Sequence, residues 1–188
     1  LFVPLLFGLL WGFGRTVVFV SLAALALASF GTAVAINSDS PMAAFYLLHT
    51  RAWELLAGVL ASLLYGRFNG PGRFAAGLSN AGLILTLAGL VLIPHHVDWP
   101  GGWTVIPVTG AVLILLFGEA PSFSQRILKL APLQIIGLIS YSAYLWHQPI
   151  FSFLSITNRL PDSETGVMSI VAVTLAISYL SWKFVEQP

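Results

Sequence analysis

Hydrophobic residues run through this chain in long blocks, and short polar stretches rich in Gly, Pro, Asn and Ser separate them. About 20 apolar helical residues span a hydrocarbon core of about 30 Å. Seven blocks approach or reach that length, with the fifth short enough to be re-entrant, and they cover approximately residues 1–13, 16–36, 44–65, 78–94, 104–118, 133–157 and 166–185. The pattern therefore predicts an all-α, polytopic transmembrane helix bundle of about seven helices.

Composition supports this prediction and excludes several function classes. Hydrophobic residues make up 57% of the chain and charged residues only 8%, whereas soluble domains carry about 25% charged residues. The mean hydropathy is +0.90. A net charge of +1 without a basic cluster argues against nucleic acid binding. The absence of cysteine excludes disulfides, thiolate metal sites and a cysteine nucleophile.

The charges in the loops predict an orientation. If successive loops alternate sides, only Arg159 falls on one side, and the other side carries Arg15, Arg67, Arg73, Arg126, Lys129 and Lys183. The positive-inside rule makes the second side cytoplasmic, which places the C-terminus in the cytoplasm. The chain begins within an apolar run, without an initiator Met, so we expect a fragment of a longer protein. No linker divides it, so residues 1–188 are predicted to belong to a single transmembrane domain.

The third block contains a cation and an anion, Arg51 and Glu54, three residues apart on one helical face. A charge at membrane depth costs about 2.5–3.5 kcal/mol, so unpaired burial is unfavourable. The two side chains can form an interfacial ion pair. Alternatively they line a polar cavity, where the guanidinium would bind a phosphate or a carboxylate.

The sixth block carries a polar stripe in which Ser140, Tyr144 and His147 follow one another at helical spacing. Lipid would require apolar side chains here, so the stripe is expected to face the bundle. Pro149 frees backbone groups that polar side chains must satisfy. His147 is therefore either a hydrogen-bonded residue at a kink, or a proton carrier or acceptor-site ligand.

Other polar residues carry weaker signals. His95, His96 and Asp98 share one loop, but adjacent histidines do not share a helix face and no further ligand cluster accompanies them, so no metal site is predicted. Glu186 follows Lys183 at the end of the last block, where a surface ion pair is the default expectation. The G-x-x-x-G spacing of Gly8 and Gly12 is expected to serve ordinary helix packing.

Three stretches, in this order, resemble the membrane-bound acyltransferase 3 family. Phe45-Tyr46 followed by Arg51 to Gly58 matches its R-x-W-E motif, Ile139 to Pro149 its S-Y-S-x-Y-L-W-H-x-P motif, and Phe184 to Pro188 its V-E-x-P ending. Gln148 departs from the Trp that is often found at that position. The resemblance covers the whole chain but only the later helices of the family's roughly ten-helix domain, and the family's upstream motif with its presumed catalytic His has no counterpart here.

The resemblance implies a membrane O-acyltransferase of the bacterial inner membrane. Such an enzyme transfers an acyl group, in the first instance acetyl, from cytoplasmic acyl-CoA to a hydroxyl of a cell-surface or lipid-linked saccharide such as lipopolysaccharide. No bound cofactor is implied, and the bilayer, acyl-CoA and the saccharide are the expected partners. The resemblance places the general base upstream, with His147 as the fallback base, and implies substrate-binding or pore-lining roles for Arg51, Glu54, Ser140, Tyr141, Tyr144 and Glu186.

Two other functions remain open at this point. In a transporter or flippase, intramembrane Arg, Glu and His side chains would bind substrate or relay protons without covalent chemistry. Inverted repeats would favour that function, and the sequence shows none. A non-catalytic scaffold is the third hypothesis, and an Arg and His pair in an upstream helix would distinguish an enzyme from it.

Overall fold

A computed structural model describes residues 14–40, 44, 47–67, 72–93, 101–158, 161 and 163–187. The helices of this part are α1 (Arg15–Asp39), α2 (Leu48–Leu64), α3 (Arg73–Leu92), α4 (Val105–Phe117), α5 (Phe123–Leu128), α6 (Ala131–Ile156) and α7 (Glu164–Ser181). A 3-10 turn (Gly102–Thr104) precedes α4, and a π turn (Trp182–Glu186) follows α7. The described residues contain no strand, so the all-α prediction is confirmed.

The predicted blocks and the observed helices agree closely. Six of the seven blocks coincide with α1, α2, α3, α4, α6 and α7, and the fifth block is a short helix of 13 residues as expected. The first block lies outside the described residues. Among the residues that the structure describes, three helical stretches are long and apolar enough to cross a membrane, namely Arg15–Asn37, Arg73–Leu92 and Glu164–Glu186. Their many exposed Leu, Val and Ile side chains suit a lipid environment, as expected for a helical membrane bundle.

The described residues form two compact units, one up to Arg126 and one from Ile127 onward. In the first unit α1 packs against α2, α3 against α4, and α2 against α4. Apolar side chains repeat at helical spacing on the facing sides of α1 and α2 and form a buried cluster of Val18, Leu22, Leu56 and Leu63. This cluster fixes the face that α2 turns towards α1, and with it the direction of the charged residues on α2.

Two glycines bring α3 and α4 into close contact. A Cβ atom on Gly82 would lie 2.8 Å from the carbonyl oxygen of Gly110, and a Cβ atom on Gly110 would lie 2.5 Å from the Thr86 hydroxyl oxygen. Small residues let transmembrane backbones approach in this way. In the sequence, the close approach of α3 and α4 was indicated only by small residues within apolar blocks.

Replacing Gly82 by alanine is expected to destabilise the protein by about 1–3 kcal/mol, because the added methyl group would overlap the α4 backbone. Gly77 lies on the same helix, and a Cβ atom there meets nothing within 4 Å, so Gly77→Ala is expected to be neutral or to stabilise by up to about 1 kcal/mol. Thermal unfolding of the purified full-length protein measures both. Equal shifts for the two variants would contradict the close α3–α4 contact.

The short helix α5 was not predicted, because tertiary hydrogen bonds hold it in place. The Ser79 and Ser124 hydroxyl oxygens lie 2.6 Å apart, the Ser122 and Ser124 hydroxyl oxygens lie 2.8 Å apart, and the Ser124 amide donates to Asn80 Oδ1 at 2.9 Å. Ser79 and Ser124 are fully buried. The hydroxyl groups satisfy one another in an environment where unpaired ones would be costly.

In the second unit α6 packs against α7 and the π turn. Ile139 and Ser142 are the buried residues of α6, while Thr174 and Ser178 are those of α7. The hydroxyls of Thr174 and Ser178 each donate to the carbonyl four residues earlier, at 2.8 and 2.6 Å. These small, internally bonded side chains allow the two helices to approach closely.

Candidate functional site

The charged pair of α2 forms within the first unit. Arg51 Nη2 lies 3.7 Å from Glu54 Oε2, and the two side chains are 44% and 25% exposed. The spacing of three residues puts both groups on one side of the helix, as the sequence predicts. The pair leaves the guanidinium partly accessible, so an anionic or polar substrate group can reach it. Whether the pair lines a cavity is not tested by this arrangement and remains a prediction.

The tryptophan of the R-x-W-E motif faces the opposite way, into the protein. Trp53 is buried, and its ring meets that of Phe30 edge-on with centroids 4.9 Å apart. Such aromatic contacts stabilise by about 0.5–1.5 kcal/mol beyond area burial. The motif therefore combines a buried aromatic residue, Trp53, which packs into the protein, with two charged residues on the more exposed side of α2.

A serine of α1 fixes this part of α2, and the sequence did not reveal it. The Ser29 hydroxyl donates to the carbonyl oxygen of His49 and accepts from the amide of Trp53 at 2.9 Å. His49 and Trp53 are four residues apart, the spacing of a helical backbone hydrogen bond. The hydroxyl thus joins one turn of α2 to α1 at the turn that carries Arg51. The only signal in the sequence was one serine within an apolar block.

Ser29→Ala is expected to lower the free energy of unfolding by about 1–3 kcal/mol, because it removes a partner from the buried Trp53 amide and from the part-buried His49 carbonyl. Hydrogen exchange at the Trp53 amide should become faster. Ser62→Ala is the matched control, since the exposed Ser62 hydroxyl bonds only within its own helix, to the Val59 carbonyl at 2.7 Å; its effect should stay within about 0.5 kcal/mol. Thermal unfolding and hydrogen exchange measure the effects of both variants. Equal effects would contradict the hydrogen-bonded link that Ser29 makes between α1 and α2.

The polar stripe of α6 lies on the side that α7 leaves uncovered. Ser140, Tyr141 and Tyr144 are exposed in this unit, and His147 is half-buried. The side chains of the stripe therefore lie on one side of α6, as the spacing predicts, and this side does not pack on α7. That the stripe faces the helix bundle in the membrane remains a prediction.

His147 is held in one orientation by its own helix. Its Nδ1 lies 3.2 Å from the carbonyl oxygen of Ala143, and its ring lies 5.5 Å from that of Tyr144. A carbonyl only accepts, so Nδ1 carries the proton, and the lone pair of the neutral ring is on Nε2. This hydrogen bond lies within α6, so the role of His147 at the Pro149 kink stays a prediction; the geometry leaves Nε2 able to accept a proton.

Glu186 has a different partner from the one expected. Its carboxylate accepts a hydrogen bond from the buried hydroxyl of Ser142. Lys183 instead lies over the ring of Phe184, 5.7 Å from its centroid. The expectation that Glu186 forms an ion pair with Lys183 was therefore wrong. The sequence could not show it, because the direction of Glu186 depends on the π turn.

Each unit also contains a cavity. A cavity of about 110 Å³ lies at the start of α1 and the end of α2 and is lined by Arg15, Thr16, Phe19, Leu63, Leu64 and Arg67. Two of these residues are cations, and Arg15 donates a hydrogen bond to the Leu63 carbonyl at 2.6 Å. An apolar groove of about 450 Å³ lies between α6 and α7 beside Trp146 and Pro149.

Several sequence features fall outside the described residues. They are the loop residues His95, His96 and Asp98, the aromatic pair Phe45 and Tyr46, and Gly8, Gly12, Arg159 and Pro188. In the part of the chain that the structure describes, no group of three His, Asp or Glu side chains could hold a metal ion.

Comparison with known proteins identifies relatives that each match more than half of this chain. OatA of Listeria monocytogenes, a peptidoglycan O-acetyltransferase, is 29% identical over 84% of this chain and 27% of its own length. YrhL of Bacillus subtilis is 30% identical over 79% of this chain and 25% of its length. The O-acetyltransferase OatA of Staphylococcus aureus is 28% identical over 60% of this chain and 19% of its length.

This chain spans about a quarter or less of the length of these relatives. No solved structure matches it. A family model described as an acyltransferase domain matches residues 1–183. Together with the R-x-W-E pair on α2 and the polar motif on α6, this match shows that the chain belongs to the acyltransferase 3 family.

Proposed function

We propose that the protein containing this chain is an O-acyltransferase of the bacterial cytoplasmic membrane. It transfers an acetyl group from acetyl-CoA, supplied from the cytoplasm, to a hydroxyl of a cell-envelope saccharide. The observation that carries the proposal is the family match over residues 1–183, which includes the charged pair of α2. The names of two relatives, both O-acetyltransferases and one acting on peptidoglycan, favour acetyl as the acyl group and a peptidoglycan sugar as the acceptor.

The chemistry requires a base, an electrophile and a leaving group. The acceptor hydroxyl oxygen forms a bond to the thioester carbonyl carbon while the hydroxyl proton passes to a base. The carbon–sulfur bond then breaks, and the CoA thiolate leaves and takes up a proton. Donors that stabilise the developing oxyanion contribute most in a dry site, and a membrane helix bundle provides such a site.

The charged groups of the chain suit the two ends of this reaction. Under the proposed orientation the cavity with Arg15 and Arg67 lies at the cytoplasmic end of the first unit, and it is large enough for a single phosphate group of the donor. Arg51 and Glu54 lie towards the outer end of α2, where the guanidinium and carboxylate would hydrogen-bond acceptor hydroxyls. The resemblance assigns the base to helices upstream, and Nε2 of His147 is the second candidate.

Acetyl transfer across oriented membrane vesicles tests the proposal. The full-length protein receives radiolabelled acetyl-CoA on one face and a peptidoglycan fragment on the other. Labelled saccharide is expected only when the donor is on the cytoplasmic face. Movement of unmodified saccharide across the membrane without labelling would establish the transporter function instead. Correctly inserted protein that neither labels nor moves saccharide would overturn both functions and leave the scaffold.

A further inference from the structure

The last turn of the chain departs from α-helical geometry at the point where it meets α6. Residues Trp182–Glu186 form a π turn, in which the Gln187 amide donates to the carbonyl of Trp182, five residues earlier, at 3.1 Å. Such turns are rare, and they occur frequently at functional sites.

The π turn changes which residue faces α6. In an α-helix successive residues are rotated by about 100°, so Val185, seven residues after Ser178, would return to within about 20° of it. Ser178 is fully buried, so Val185 would be expected on the buried face. Instead Val185 is 71% exposed. The wider turn brings the carboxylate of Glu186 to α6, although the residue as a whole remains exposed.

Glu186 uses this position to accept a hydrogen bond from Ser142. The Ser142 hydroxyl is fully buried on α6, where an unpaired hydroxyl would be unfavourable. A hydrogen bond to a charged acceptor is about twice as strong as one between neutral groups. The contact therefore selects one rotation of α6 about its axis.

That rotation decides where the polar stripe of α6 points. Ser140, Tyr144 and His147 lie on the same helix as Ser142 but on its uncovered side. A rotation of α6 would displace all three together. We propose that Glu186 is a positioning residue: the π turn directs its carboxylate onto Ser142 and thereby sets the direction of the stripe.

Crosslinking tests the geometry without requiring activity. This chain contains no cysteine, so pairs can be placed in the full-length protein once any cysteines elsewhere are replaced. A short bifunctional thiol reagent is expected to crosslink one cysteine pair at least fivefold faster than the other. The faster pair is Ser142→Cys with Glu186→Cys, and the slower pair is Ser142→Cys with Val185→Cys. The opposite order would show that the turn is α-helical and overturn the proposal.

A thiol probe on the stripe tests the rotation of α6. The rate at which a maleimide modifies Tyr144→Cys is expected to change at least threefold when Glu186→Ala is added. Glu186→Gln should restore the original rate, because its amide oxygen can still accept from Ser142. Glu164→Gln, a change of the same kind at the exposed start of α7, is the control and should leave the rate unaltered. An unaltered rate in Glu186→Ala would overturn the positioning role.

The activity readout rests on the proposed acyl transfer. Glu186→Ala and Ser142→Ala are each expected to lower kcat about tenfold, with the KM for acetyl-CoA within twofold, and the double variant should be no worse than either. Glu186→Gln should recover to within threefold. If it remains as impaired as Glu186→Ala, the charge itself is needed and the positioning role is wrong. If the unmodified protein shows no transfer, the proposed function fails, while crosslinking and labelling still decide the role of Glu186.

Discussion

Arg51→Gln is expected to lower acetyl transfer by the full-length protein at least a hundredfold. The guanidinium is the cation of the R-x-W-E motif, and its partly exposed position beside Glu54 lets it donate to a substrate oxygen. Removing one such donor from a preorganised site lowers kcat by about 10²–10³-fold. Initial rates with radiolabelled acetyl-CoA, at equal amounts of inserted protein, measure the effect.

Two further variants separate substrate binding from assembly. Arg73→Gln makes the same charge change at the exposed start of α3, and its rate should stay within twofold. Exchanging the charges, as Arg51→Glu with Glu54→Arg, keeps an ion pair three residues apart and should preserve insertion but not activity. A charge-exchanged protein that keeps its activity would show that the pair stabilises α2 and does not contact substrate.

Hydrophobic patterning predicted the long helices because a membrane imposes a single length and a single polarity on each of them. The same logic located the Arg51 and Glu54 pair, since two opposite charges at helical spacing in an apolar block have few other arrangements. The short helix α5 was missed for the opposite reason. Its hydrogen bonds to Ser79 and Asn80, which lie 45 and 44 residues earlier than Ser124, hold it in place. The local sequence pattern carries no information about such partners.

Two serines, Ser142 and Ser29, make contacts between helices that the sequence could not predict. Ser140 and Ser142 are two residues apart in the same motif, and the spacing of polar residues favoured Ser140. The structure places Ser142 at the helix contact, because the π turn after α7 brings Glu186 there. Ser29 likewise acts through the backbone of α2. In both cases the partner is set by a tertiary contact between helices, which neither composition nor periodicity reveals.

If Nε2 of His147 is the base, His147→Ala is expected to lower acetyl transfer about a hundredfold, the lower end of what a positioned acid or base contributes. The hydrogen bond from Nδ1 to Ala143 holds the ring and leaves Nε2 as the proton acceptor. His147→Gln preserves a side chain of similar length but offers no basic nitrogen, so it should be equally impaired. Initial rates with radiolabelled acetyl-CoA and a saccharide acceptor, at equal amounts of inserted protein, measure both variants.

The role of His147 separates two sources of the base. If Nε2 accepts the hydroxyl proton, imidazole in the assay should partly restore His147→Ala, and the restored rate should follow the concentration of neutral imidazole. If the base lies in the upstream helices, acetyl transfer by His147→Ala should fall less than threefold, and added imidazole should not restore it. Because Ala143 lies one helical turn before His147, the hydrogen bond to its carbonyl would then serve only to orient the ring, and His147 would act as an acceptor-site ligand beside Tyr144.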